Sequence, residues 1–174
     1  MESILNFIGE NILMIFINNG IYGMTGGQMA PTTLAGMKSS TSPFGRDVKT
    51  MGYPLKMTDI VATLPGTYYV TRQSVHTPAN VKKTKKAMKK AIQYQKLNRG
   101  TCFIEIVSNC PSGWRMTPVQ ANKWMEDNMF PFYPLGDLRN LKKRVFNFSD
   151  LISFKNDRRN NYCRIWRTRG SVDG

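Results

Sequence analysis

The chain has 174 residues, 41% of them hydrophobic, with a formal net charge of +14, enough length for one domain with its own core and rarely two. A single histidine, His76, excludes a His-rich metal site, and Cys102, Cys110 and Cys163, with no CxxC pair and no secretory leader, argue against a disulfide framework and for a cytoplasmic location. The apolar run Ile12 to Ile17 is far too short to span a bilayer, and the basic charge points to an anionic partner without choosing among nucleic acid, membrane, phosphorylated ligand or acidic protein.

In chain order, Ile12–Ile17 stops at Asn18-Asn19-Gly20 and reads as a strand buried on both faces that ends in a turn. Residues 20–57 are rich in Gly, Pro, Ser and Thr and are too long for an idle connection, which suggests a functional loop. A short helix is expected over 58–64, with Thr58 as its N-cap and Asp59 near the positive end of the dipole. Thr67–Gln73 is β-branched and aromatic and reads as a strand. Over 79–96, Val81, Thr84, Met88, Ala91 or Ile92, and Gln95 recur at helical spacing, with Lys82, Lys83, Lys85, Lys86, Lys89 and Lys90 around the rest of the circumference. Thr101–Ser108 is another strand, and Thr117-Pro118 opens a helix running through Trp124 to about Asn128. This alternation predicts an α/β fold, a mostly parallel sheet flanked by helices.

The chemistry concentrates in Asn18-Asn-Gly-Ile-Tyr-Gly-Met-Thr-Gly-Gly-Gln28, a loop at the carboxyl end of a strand, where α/β folds bind ligands. Asn side chains and freed carbonyls are hard oxygen donors suited to Mg²⁺. Glycines let backbone N–H groups approach a diphosphate. On residues alone the loop is either a metal–diphosphate site or a Gly-rich turn with Asn at left-handed positions.

The string NNGIYGMTGGQMAPTT, the block Glu105-Ile-Val-Ser-Asn-Cys-Pro-Ser-Gly-Trp114 followed by Thr117-Pro118 and Trp124, and the segment Pro131-Phe-Tyr-Pro-Leu-Gly136 together resemble the β subunits of 2-oxoacid:ferredoxin oxidoreductases, from about Asn11 to about Leu141. The resemblance implies a thiamine diphosphate-binding fold and the oxidative decarboxylation of a 2-oxoacid to an acyl-CoA. Thiamine diphosphate would be the carbon nucleophile, and α and γ subunits, ferredoxin, the 2-oxoacid and coenzyme A would be the partners. It further implies Asn19 as the side-chain ligand and Ile21 as the carbonyl ligand of Mg²⁺, with Asn18 as a second candidate. Gly23, Met24, Thr25 and Gly26 would line the diphosphate. Cys110 matches a position that helps hold a [4Fe–4S] cluster in cluster-containing relatives; a small residue at a strand end is the alternative.

The other conspicuous side chains have plainer readings: His76 as a strand-end histidine with a local hydrogen bond, Cys102 as core, Trp114 and Trp124 as packing, the lysine face as solvated or a ferredoxin dock. The family's Mg²⁺ site also draws an acidic ligand from an upstream GDG motif. Only 17 residues precede Asn18 and none forms GDG, so an N-terminal truncation, an open sheet edge and weak cofactor binding by the isolated chain are expected. Domain bounds of 1–144 and an irregular tail at 145–174 follow. The tail's Arg158–Gly170 stretch has no hydrophobic period, and its shifted-frame reading permits GFGGQG, similar to the start of the family's γ subunit, against the simpler reading of an ordinary basic tail. Two further functional readings are an inactive remnant of the subunit and a basic nucleic-acid-binding protein using the lysine helix.

Overall fold

The structure is a computed structural model and describes residues 10–141. The expected boundary at 144, the tail at 145–174 with Cys163, and its shifted-frame reading lie outside the described residues. In chain order the elements are β1 (Leu13–Asn18), β2 (Ile21–Tyr22), β3 (Gln28–Met29), α1 (Val48–Met51), α2 (Met57–Thr63), β4 (Thr67–Ser74), α3 (Pro78–Lys96), β5 (Thr101–Val107), α4 (Pro111–Trp114) and α5 (Pro118–Trp124). A π-helical turn (Met125–Met129), α6 (Phe130–Phe132) and β6 (Gly136–Asn140) complete them.

The main sheet has the order β1-β5-β4-β6. β5 pairs in parallel with β1, Leu13 opposite Cys102 through Asn18 opposite Val107, and with β4 on its other side. β6 closes the far edge antiparallel to β4, a strand the sequence did not announce. The mixed, mostly parallel sheet flanked by helices is the expected α/β architecture.

The strand buried on both faces is β5, not β1. All seven β5 residues are buried, whereas β1 is the edge strand among the described residues and leaves Ile15 at 44% and Ile17 at 55% exposure. An apolar run reports what a strand would bury, and only the strand order decides whether a neighbour covers it.

Each face of β5 takes one helix. Thr77 caps α3 by accepting from the Asn80 amide. Ala91 and Tyr94 on its inner side pack against Tyr69, Cys102, Ile104 and Ile106. Burial pushes the Cys102 thiol up to about 11, in keeping with a core residue. On the opposite face Val61 of α2 meets Val70 and Phe103, with Met14, Phe16 and Leu138 at the margin. Thr58 is not the cap of α2; Lys56 holds that position without a side-chain bond, and the Thr58 hydroxyl donates inward to Glu105.

The helix expected to run through to Asn128 is broken. After α5, with its Thr117/Gln120 capping box, the chain widens into the π turn, where the Phe130 amide reaches back to the Met125 carbonyl. Pro131 follows at once, with no N–H to give and a ring that crowds the preceding turn. This segment, with Trp114 and the loop residues Ile21, Leu34 and Met37, forms a third cluster around Met125, Met129 and Tyr133. That cluster places the loop after β1. Among the described residues no helix is long and apolar enough to cross a membrane.

Candidate cofactor site

β1 ends in Asn18, which is buried and ties the loop to the sheet. Its Nδ2 donates to Glu105 Oε1 at 2.7 Å, and its Oδ1 accepts from the Gly20 amide at 3.1 Å. Asn19 repeats the turn one residue on, its Oδ1 accepting from the Ile21 amide at 3.1 Å. Gly20 has φ +70°, a left-handed conformation that favours glycine. The Gly20 carbonyl accepts from the Thr33 hydroxyl, and the Asn19 carbonyl accepts from Trp114 Nε1 at 3.1 Å. Trp114 therefore orients the loop as well as packing against Trp124, ring centres 4.8 Å apart and planes tilted by 59°.

β2 and β3 form a short hairpin, Ile21 opposite Met29 and Tyr22 opposite Gln28, whose tip is Gly23-Met24-Thr25-Gly26-Gly27. Thr25 donates to Gln28 Oε1 at 2.8 Å, and Gln28 Nε2 returns a bond to the Thr25 carbonyl at 2.7 Å, so the tip is braced from within. Met24 is fully exposed. Gly23 faces Cys110 and Asn19: a Cβ there would lie 2.8 Å from Cys110 Sγ and 3.5 Å from Asn19 Nδ2. A Cβ on Gly113 would lie 2.9 Å from the same sulfur and meet the Ile21 side chain as well. The structure thus gathers Asn19, Ile21, Gly23 and Cys110, with Met24, Thr25 and Gly26 on the outer lip. Beside them a cavity of about 280 Å³ is lined by Ile17, Asn18, Asn19, Tyr22, Thr32 and Leu55 among others.

Two supports were not picked out from sequence. Arg46 is buried, and its guanidinium donates to the carbonyls of Ala30, Pro31, Thr33, Met51, Gly52 and Tyr53 at 2.8–3.3 Å. It holds the long 20–57 connection in one shape, and nothing near it in the sequence signals that. The second is a buried ionic group under Asn18. Arg72 Nε donates to Glu105 Oε2 at 2.6 Å and its Nη2 to Asp59 at 2.5 Å. Burial disfavours the Arg72 charge, yet Glu105 and Asp59 together more than offset this and its pKa is raised. Tyr133 stacks near the guanidinium and donates to the Thr32 carbonyl at 2.9 Å; burial keeps its phenol well above the ordinary range. One sequence signal was available, a single charged residue in each of two otherwise uncharged strands, and these residues stand opposite in the ladder. His76 makes the expected local bond to Ser74 Oγ at 2.7 Å and also meets Glu126 at 3.0 Å.

Residues 5–106 match the model described as thiamine pyrophosphate enzyme, C-terminal TPP binding domain. The chain belongs to this thiamine pyrophosphate enzyme family. It is 38% identical over 131 residues to the ketoisovalerate oxidoreductase subunit VorA of Methanothermobacter marburgensis, covering 75% of this chain and 27% of that protein. It is 34% identical over 118 residues to the 2-oxoglutarate synthase subunit KorB of Archaeoglobus fulgidus, covering 68% of this chain and 40% of that one. The chain therefore spans between about a quarter and two fifths of the length of these relatives. In structure it is similar to the 2-oxoglutarate:ferredoxin oxidoreductase from Magnetococcus marinus with 2-oxoglutarate, coenzyme A and succinyl-CoA bound, at TM-score 0.57 and 18% identity over 89% of this chain and 62% of that one. This likeness shows the shared fold.

The loop's donors suit the cofactor of a TPP-binding domain. The Asn19 amide oxygen and the Ile21 carbonyl are hard neutral oxygens of the kind Mg²⁺ takes alongside phosphate and water, and the missing side chain at Gly23 leaves a cradle that a Cβ would fill. Glu105 is committed elsewhere: Oε1 accepts from Asn18, and Oε2 from Thr58 and Arg72. A cluster site is a poorer fit. Among the described residues no three His, Cys, Asp or Glu side chains gather, and a [4Fe–4S] cluster needs about four thiolates.

Proposed function

We propose that this chain supplies the thiamine diphosphate loop of a 2-oxoacid:ferredoxin oxidoreductase β subunit, acting in the cytoplasm with α and γ subunits, ferredoxin and coenzyme A. The observation that carries the reading is the double Asn turn at the end of β1, held by Trp114 and followed by Gly23 against Cys110, in a chain of the thiamine pyrophosphate enzyme family. When bound, thiamine diphosphate supplies the carbon nucleophile and electron sink for cleaving a 2-oxoacid. This chain's part is to bind and orient. Asn19 and Ile21 hold Mg²⁺, and the Gly23–Gly26 tip, with Met24 and Thr25, brings backbone N–H groups to the diphosphate. Asn18, fixed by Glu105, sets the direction in which the loop leaves the sheet.

The test is calorimetric titration of thiamine diphosphate into the chain assembled with its α and γ subunits. Binding should require Mg²⁺ and weaken about tenfold or more in Asn19→Ala, the loss of one metal ligand. Binding that is indifferent to Mg²⁺ and to Asn19→Ala would remove the reading.

A further inference from the structure

Helix α3 carries seven lysines and no acidic residue. Thr84, Ala87, Ala91 and Tyr94 take its buried side, and at 100° per residue the lysines spread over about 160° of the opposite side. Lys82–Lys86, Lys85–Lys89 and Lys86–Lys90 are like charges four residues apart, which repel and weaken the helix that carries them. Only Lys90 is drawn to the protein among these, 3.2 Å from Asp137 and over the Tyr69 ring at 4.2 Å. A hollow of about 330 Å³ opens beside it, lined by Gln73, Asn80, Lys83, Lys86, Lys90 and Asp137 among others; Asp137 is paired to Lys90, which leaves Lys83 and Lys86 as its unpaired charges among the described residues.

We propose that the outer face of α3 is a docking surface for an acidic protein, with a partner carboxylate entering the hollow beside Lys83 and Lys86. Opposite charge would relieve the repulsion along the helix. Lysine ammonium groups are hydrated point charges suited to steering a partner into a short-lived complex. The face fits other anions less well. α3 has no arginine to fork onto phosphates and no exposed aromatic ring to stack on bases. Its apolar side is spent on the sheet, leaving Ile92 at 44% exposure as the one exposed large hydrophobic within the helix, too little to seat it in a membrane. This inference rests on the lysine placement and is independent of the cofactor reading.

The test measures binding of the full chain to poly-L-glutamate, to duplex DNA of matched charge, and to phosphatidylserine vesicles, at low and physiological salt. Replacing Lys83→Gln, Lys86→Gln and Lys89→Gln together should weaken polyglutamate binding about tenfold, three surface contacts' worth. The control, Lys38→Gln, Lys49→Gln and Lys123→Gln, removes the same charge from exposed sites elsewhere and should change it less than about twofold. Circular dichroism confirms that both variants keep the helix. Equal loss in both variants, no polyglutamate binding by the parent chain, or an α3-dependent loss confined to DNA or vesicles would each overturn the proposal.

Discussion

Gly23 is where the Asn18–Gln28 segment has least room. It needs no unusual backbone angle; what excludes a side chain is the sulfur of Cys110, 2.8 Å from where a Cβ would stand. Gly23→Ala should therefore push the hairpin tip outward and lower thiamine diphosphate affinity about tenfold, and adding Cys110→Ala should recover most of it, because contacting residues couple. Titration calorimetry on the single and double variants reads this directly; a double variant no better than Gly23→Ala would show that the crowding lies elsewhere. This view of Cys110 as a spacer grows from contacts that residue types alone could not reveal. The loop's composition was legible in the string NNGIYGMTGGQ, whereas its neighbour across the site lies 87 residues away in sequence.

The 20–57 connection behaves as an element although most of it has no regular structure. β2 and β3 supply two rungs, and Arg46 ties the rest by bonding carbonyls from Ala30 to Tyr53. Arg46→Ala would leave several buried carbonyls without a donor and should cost about 3 kcal/mol or more, seen as a lower urea midpoint. Arg46→Lys should recover little, since three donors on one ammonium cannot replace a planar fork. If Arg46→Ala left the midpoint unchanged, the loop would be held by the Tyr133 and Thr33 contacts instead. Helix α5 and its π turn show the opposite balance: the Thr117-Pro118 start was readable, but the break before Pro131 depends on how the turn relaxes around the proline.

At the scale of the whole molecule, the sheet has a protected centre and an open side. β5 is buried along its full length, and β1, paired only with β5 among the described residues, exposes Ile15 and Ile17. Hydrogen exchange should rank accordingly: β5 amides should exchange at the global unfolding limit, and β1 amides about tenfold faster or more. Equal protection of β1 and β5 would mean that another segment covers that edge. The same layering explains the site, since parallel strands β1, β4 and β5 all end at the side where the loop, Trp114 and the third cluster meet.

By itself the sequence determined the α/β alternation, the helix of lysines and the cofactor-loop resemblance, because each is written in contiguous residues with a fixed period or spelling. Tertiary structure alone decided which strand is central, which carboxylate is buried and committed, and what stands behind the loop. Arg72 joins Glu105 across 33 positions, and Asn18 reaches the same carboxylate across 87. A buried charge is tolerated only where such partners converge, and convergence is a property of the folded sheet.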